Sequence, residues 1–366
     1  MRADQAEADH RADQAGLAAR QAGASSRLPT IRDVAERAGV SKSLVSLVLR
    51  GAGSVSQARR QAVLTAAADL GYRVNAAARS LSERRTHTVG VLLDDMRNPW
   101  FVGLLDGLNH TLSAHGLRML MADAHLSKRA GQDLVASFLE LRVDGVVAVG
   151  TLPDPSVLGL IAARLPTVVA GARDDDAASE LDVVANDDAL GGAVATEHLI
   201  GLGHRAIAHI SGRGKVGELR RGSFEDTMNA HGLCGSAAIE PGDHTEEGGY
   251  RATVRLLSSR PRPTAIFGYN DISCVGALTA AEEMGLKVPR DLSVVGYDNT
   301  YIAQLRHLWL TTVDSAGFDV GRQAASCLVD RFNRPGRTGT LILTRPRLEV
   351  RGSTAAPPAG ARGRGV

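Results

Sequence analysis

From residue 87 onward, short runs of β-branched and aliphatic residues alternate with longer stretches of helical character. "VGVLL" (89–93), "RMLMA" (118–122), "GVVAV" (145–149) and "TVVA" (167–170) come first, and "AIAHI" (206–210), "TAIFG" (264–268) and "LSVVGY" (292–297) follow. Apolar runs of this length, separated by helices, belong to parallel sheets with helices on both faces. The chain has 366 residues, 44% of them apolar, enough for two or three domains. The stretch 87–353 fits two doubly wound subdomains. Ligands of such sheets sit beyond the carboxyl ends of the strands, so the candidate binding residues follow these runs. Asn98, Trp100 and Phe101, in "DDMRNPWF", offer a hydrogen-bonding amide and rings for stacking. Asn270 and Asp271 follow "TAIFGY", and Asp298 follows "VVGY". Apolar faces with a few convergent donors and acceptors suit a sugar. Asn270–Asp271 also reads as a helix N-cap, and Trp100 as ordinary core.

The formal net charge of +2 hides an asymmetry. Residues 28–85 hold ten Lys or Arg and four Asp or Glu, a net of +6, whereas residues 86–366 sum to −4. A small basic module on a mildly acidic body favours a polyanionic partner for the module alone. Within it, "TIRDVAERAGVSKSLVSLVLRG" (30–51) predicts two helices. Thr30 precedes Asp33 by three residues in a start resembling a capping box. Ile31, Val34, Ala35 and Ala38 form one apolar stripe, and Gly39 suits the turn. Ser41 is placed to cap the second helix and Ser56 a third, "QARRQAVLTAAADL", which Gly71 closes. Helix, short Gly-containing turn, helix is the helix-turn-helix arrangement. On the second helix, Val45, Val48 and Leu49 share one face, and Leu47 lies roughly 155° from it.

Cys234, Cys274 and Cys327 form no CxxC pair or metal-ligand pattern, which predicts buried free thiols in a reducing compartment. No apolar run approaches the length of a membrane span. "MRADQAEADHRADQAGLAAR" has no continuous apolar core and does not read as a secretion signal, so a cytoplasmic protein is expected, with residues 1–27 and 354–366 as disordered tails. "GRGKVG" (212–217) fits GxGxxG and raises a dinucleotide enzyme as an alternative. A lone match of this kind is weak, and no catalytic grouping or cofactor motif accompanies it. A secreted solute-binding protein would share the body but has no use for a basic helix-turn-helix.

The stretch from "TIRDVAERAGVSKSLVSLVLRG" to "NAAARSL" closely resembles the headpiece and hinge of the LacI/GalR family of bacterial transcription regulators. The similarity continues through "LIGLGHRAIAHISG", "PRPTAIFGYND", "DLSVVGYDN" and "LTTVD", over roughly residues 28–353. It implies a headpiece (28–73), a hinge (74–86) and a body resembling periplasmic sugar-binding proteins (87–353). It further implies a homodimer on a pseudo-palindromic operator, controlled by a small effector, with a sugar or sugar phosphate ahead of a nucleobase or nucleoside. The second helix would then enter a major groove, with Lys42, Ser43 and Leu47 facing bases. The family usually has Arg where this chain has Leu47, so a thymine methyl replaces a guanine as the natural contact. Thr30, Ser41, Ser46, Ser56 and Tyr72 match polar phosphate-contacting positions, Arg50, Arg59 and Arg60 add sequence-independent attraction, and Ile31 and Asn75 belong to the same DNA-binding set. Leu81 matches a minor-groove wedge, with Ala78 allowing close approach. In the body, Arg220 and Asp298 match the family's effector-binding arginine and carboxylate. Trp309 stands where the family commonly has Pro.

Overall fold

The computed structural model describes residues 29–51, 53–72, 85–130, 133–150, 155–173 and 180–358. The chain divides into two compact units, residues 1–84 and 85–366.

The first unit contains α1 (Ile31–Arg37), α2 (Lys42–Leu49) and α3 (Gln57–Asp69). The Asp33 carboxylate accepts from Thr30 N at 2.7 Å and from Thr30 Oγ1 at 2.8 Å, holding the start of α1 as the spacing predicts. Gly39 turns the chain at φ +64°, where a residue with Cβ is strained. Ser41 Oγ accepts from Leu44 N at 3.2 Å to cap α2. Ser56 occupies the N-cap position of α3 without a side-chain capping bond. Val34, Ala35, Val45, Val48, Val63, Ala66 and Ala67 form the core, with Ile31, Ala38, Leu49 and Tyr72 packed partly against it.

The second unit holds two six-stranded sheets. The first is built from β1 (Thr88–Leu93), β2 (Arg118–Asp123), β3 (Gly145–Val149), β4 (Thr167–Ala170), β5 (Asp182–Asn186) and β11 (Leu341–Thr344), in the order β11-β5-β4-β3-β1-β2. The second is built from β6 (Ile207–Ser211), β7 (Ala237–Pro241), β8 (Ala265–Phe267), β9 (Ser293–Tyr297), β10 (Thr311–Asp314) and β12 (Arg347–Glu349), in the order β12-β10-β9-β8-β6-β7. Pairing is parallel throughout except β10 with β12. The central strands are buried on both faces, as their continuous apolar runs require.

Helices α4 (Trp100–Ala114), α5 (Ala124–Arg129), α6 (Leu134–Glu140) and α7 (Pro155–Ala162) interleave the first sheet. Helices α8 (Asp188–Gly201), α9 (Gly214–Ala230), α10 (Glu246–Ser258) and α11 (Asp271–Glu283) interleave the second. After β10 the chain returns, and α12 (Gly317–Asn333) packs on α4 and on the first sheet. Among the described residues the chain therefore crosses between the two sheets three times: after β5, after β10 and between β11 and β12.

Two close helix crossings rest on glycine pairs. A Cβ on Gly107 of α4 would stand 2.0 Å from the Phe318 carbonyl oxygen, and one on Gly321 of α12 would stand 2.0 Å from that of Leu104. Gly249 of α10 and Gly276 of α11 repeat the device, each Cβ meeting a facing carbonyl at 2.0 Å.

Several expectations need correction. Residues 354–358 are not a loose tail: the Ala355 carbonyl accepts from Ser293 Oγ at 3.0 Å, and its N–H donates to the same oxygen at 3.0 Å. The buried His204 ring lies 2.9 Å from that carbonyl. Cys274 and Cys327 are buried thiols, but Cys234 is exposed. Trp309 is half exposed and sits at φ +38°, an angle closed to proline. Among the described residues no helix is long and apolar enough to cross a membrane.

Candidate functional site

The carboxyl ends of both sheets in the second unit open onto one cleft. From the first sheet, Asp94, Asp95, Asn98, Trp100 and Phe101 follow β1, Gly150 follows β3, Gly171 follows β4, and Asn186 ends β5. From the second come Val216 and Arg220 on α9, His244 after β7, Tyr269 and Asn270 after β8, and Asp298 after β9. A cleft at strand carboxyl ends is the expected binding place in doubly wound sheets.

Arg220 organises it. Its Nε donates to Asp188 Oδ1 at 2.8 Å and its NH1 to the Tyr269 carbonyl at 2.7 Å, while NH2 lies 3.6 Å from Asp298 Oδ1. The guanidinium lies over the Tyr297 ring, 3.5 Å from its centroid. Burial alone would favour loss of the proton, but Asp188, helped by Tyr297 and Asp298, raises the pKa and keeps Arg220 charged. Asn186 Nδ2 donates to the Tyr297 hydroxyl at 2.8 Å and to Asp188 at 3.2 Å, extending this network across the two sheets.

Asp298 has a backbone φ of +100°, a conformation few residues with a side chain adopt. Burial pushes its carboxyl up to about 6, with Arg220 opposing and Asp188 and Asp314 adding to the rise. Asn270 Oδ1 accepts from Ser273 N at 2.9 Å as the N-cap of α11, and the residue also lines the cleft. Asn98 Oδ1 accepts from Trp100 N at 3.1 Å. Trp100 and Phe101 belong to the core of the first sheet, and Trp100 Nε1 donates to Ser315 Oγ at 2.7 Å. Both lie at the cleft wall but are at most 9% exposed.

Asp271 does not belong to the cleft lining. It is fully buried and accepts from Thr300 N at 2.7 Å, Thr300 Oγ1 at 2.8 Å and Thr312 Oγ1 at 2.6 Å. As the first residue of α11 it points back into the sheet and ties the β9 and β10 ends together. Burial first, then repulsion by Asp298, pushes its carboxyl up to about 7.

Sequence reasoning missed Asp94, Asn186, Asp188, His244 and Tyr269. Tyr269 was within reach, since it stands between a recognised strand and Asn270. Asn186 ends β5 and Asp188 stands just after it, and the short run "DVVA" gives that strand only a weak signal. The glycines of "GRGKVG" have packing roles: a Cβ on Gly212 would meet the Tyr269 ring at 2.1 Å, and one on Gly217 the Gly212 carbonyl at 2.4 Å.

In the first unit, Lys42, Ser43, Arg50, Ser56 and Arg59 are exposed, and Thr30, Ile31, Ser46 and Tyr72 are half-buried. Arg50 Nε donates to the Ser46 carbonyl at 3.2 Å. Leu47 is half-buried rather than bare, because Gly53 folds over it so closely that a Cβ there would lie 2.9 Å from Leu47 Cδ2. Asn75, Ala78 and Leu81 lie outside the described residues.

Residues 30–75 match the bacterial regulatory proteins of the lacI family, and residues 196–354 match a periplasmic binding protein-like domain. The HTH-type transcriptional repressor PurR of Erwinia tasmaniensis is 33% identical over 335 residues, covering 90% of this chain and 98% of that protein. A LacI-family regulatory protein of known structure from Corynebacterium glutamicum is 40% identical, covering 74% of this chain and 99% of that one, with a TM-score of 0.64. The lac repressor dimer bound to operator and the anti-inducer ONPF is 26% identical over 90% of this chain and all of that one, with a TM-score of 0.78. A helix-turn-helix unit joined to a two-sheet ligand-binding unit defines an effector-controlled, DNA-binding transcriptional regulator. The chain belongs to the LacI family. The relatives are regulators rather than enzymes.

Proposed function

We propose that this repressor-type regulator acts in the cytoplasm as a homodimer that grips a pseudo-palindromic operator and answers to a carbohydrate. In this reading residues 28–73 read DNA, residues 74–86 form the hinge, and residues 87–353 sense the effector and dimerise. Lys42, Ser43 and Leu47 face base edges. Thr30, Ser41, Ser46, Ser56 and Tyr72 position the module on phosphates, Arg50, Arg59 and Arg60 add sequence-independent attraction, Ile31 and Asn75 lie in the same DNA-binding set, and Leu81 wedges the minor groove beside Ala78.

The observation that carries the carbohydrate reading is the pairing of Arg220 with Asp298 in a cleft also lined by Asn98, Asn186 and Asn270. A hydroxyl is both donor and acceptor, so a polyol uses cation, carboxylate and amides together. Structural neighbours bound to cellobiose (29% identical, TM-score 0.66) and to ribose (27% identical, TM-score 0.66) add support. A nucleobase or nucleoside is the second reading, favoured by the Tyr269 ring at the cleft and by kinship with proteins named PurR.

The test is operator selection with the full-length protein, followed by anisotropy of the selected duplex against sugars and nucleosides. The carbohydrate reading expects a sugar to change the duplex affinity by about five- to 150-fold, the usual range of allosteric coupling. A response to nucleosides alone would replace it with the second reading.

A further inference from the structure

The charge around the cleft is lopsided. Among its lining residues, Asp94, Asp95 and Asp298 face Arg220 and His244. Arg220 is already committed to Asp188 and the Tyr269 carbonyl, and stands 3.6 Å from Asp298. One cation thus serves two carboxylates. Asp95 is held by Arg97, whose Nε donates at 2.9 Å and 3.0 Å. The Asp94 carboxylate has no hydrogen-bond or ion-pair partner among the described residues. Its pKa is raised mainly by burial and further by Asp95 and Asp123, against the pull of His244 and His125.

We infer that the cleft accepts an effector that brings hydroxyl or amine donors and no anionic group, and that it rejects phosphorylated and carboxylated ligands. A phosphate placed here would meet Asp94 and Asp298, while among the described lining residues the one permanent cation, Arg220, is already shared between Asp188 and Asp298, and repulsion of this kind is a standard means of specificity. A hydroxyl or an ammonium satisfies Asp94 directly. The carbohydrate part of this statement rests on the reading above; the charge rule applies equally to a nucleoside against its nucleotide.

The chain has two tryptophans, Trp100 at the cleft wall and the half-exposed Trp309. In the full-length Trp309→Phe protein, emission therefore reports on the cleft through Trp100. The probes are inorganic phosphate and matched sets: glucose, glucosamine, glucose 6-phosphate and glucuronate; ribose and ribose 5-phosphate; adenosine and its monophosphate. Phosphate at millimolar concentration should leave Trp100 emission as chloride of equal ionic strength does. Any compound that shifts it should be neutral or aminated, with its anionic counterpart at least about tenfold weaker. Asp94→Asn should narrow that gap severalfold while the circular dichroism spectrum stays unchanged. A saturable response to phosphate, a sugar phosphate or glucuronate overturns the inference and leaves the carbohydrate reading standing. A response to adenosine alone overturns the carbohydrate reading and leaves the charge rule standing.

Discussion

Arg220 donates to Asp188 at 2.8 Å with both side chains sealed from water, so α9 and the start of α8 are joined by a buried ion pair beside the cleft. The two residues are 32 positions apart, and the pair fixes the guanidinium before any effector arrives. Removing one member of a buried pair costs about 3–5 kcal/mol, because the other charge is left uncompensated. Arg220→Ala should lower the urea-unfolding free energy by that order. A loss below about 1 kcal/mol would mean that Asp188 had found another partner.

Asp298 should matter for response. Asp298→Asn keeps its shape and removes its charge, so effector affinity should fall. Asp298 titrates at about 6, so its ionised, accepting form is lost as pH drops through that value. Wild-type effector affinity should fall between pH 7.5 and 5, and the Asn variant should not share that part of the pH dependence. Calorimetric titration of both proteins at the two pH values decides it.

Asp271 makes the opposite kind of contribution. Its folded-state pKa of about 7 lies above the ordinary 3.8, so its stabilisation is complete below the unfolded value. That stabilisation is lost as pH climbs through 7. At about 1.4 kcal/mol per unit, ionising it can cost the fold up to about 4 kcal/mol. Asp271→Asn should therefore gain on wild type as pH rises from 5 to 8, read as the difference between the two melting curves. A constant difference would mean that Asp271 does not titrate in this range.

Gly321 permits α12 to lie on the α4 backbone, with a Cβ only 2.0 Å from the Leu104 carbonyl oxygen. Overpacking typically costs about 1–3 kcal/mol, and more where backbone must move. Gly321→Ala should destabilise by at least about 2 kcal/mol in chemical denaturation. Gly159→Ala, inside α7 where a Cβ meets nothing within 4 Å, is the control and should be neutral or stabilising by up to about 1 kcal/mol.

Leu47→Arg should change the bases preferred in an operator selection, since a bidentate arginine–guanine contact is worth about 1–3 kcal/mol of discrimination. It must also displace the packing of Leu47 under Gly53, so the variant's thermal stability is measured alongside. An unchanged consensus would place Leu47 away from the groove.

The strands and helices that carry long apolar signals were legible in the sequence. β1, β3, β4, β6 and β9 fall where "VGVLL", "GVVAV", "TVVA", "AIAHI" and "LSVVGY" stand, within a residue or two. β5, β7, β10, β11 and β12 carry no comparable signal. β7 and β12 form the two edges of one sheet and β11 an edge of the other, and half-exposed edges do not write a continuous apolar run. Within the site, spacing after strands brought Asn98, Asn270 and Asp298 to one cleft. The same rule pointed wrongly at Asp271, because position after a strand does not specify which way the side chain turns at the first residue of a helix. Asp188 was invisible because its role depends on Arg220 from another element.

The threefold crossing has a consequence for biosynthesis. The sheet that starts with β1 lacks α12 until residue 333 has been made and its edge strand β11 until residue 344, and its neighbour lacks β12 until residue 349. Neither lobe can finish on the ribosome while the other waits; the two are completed within a few residues of each other, and a premature stop upstream of β11 leaves both unfinished at once.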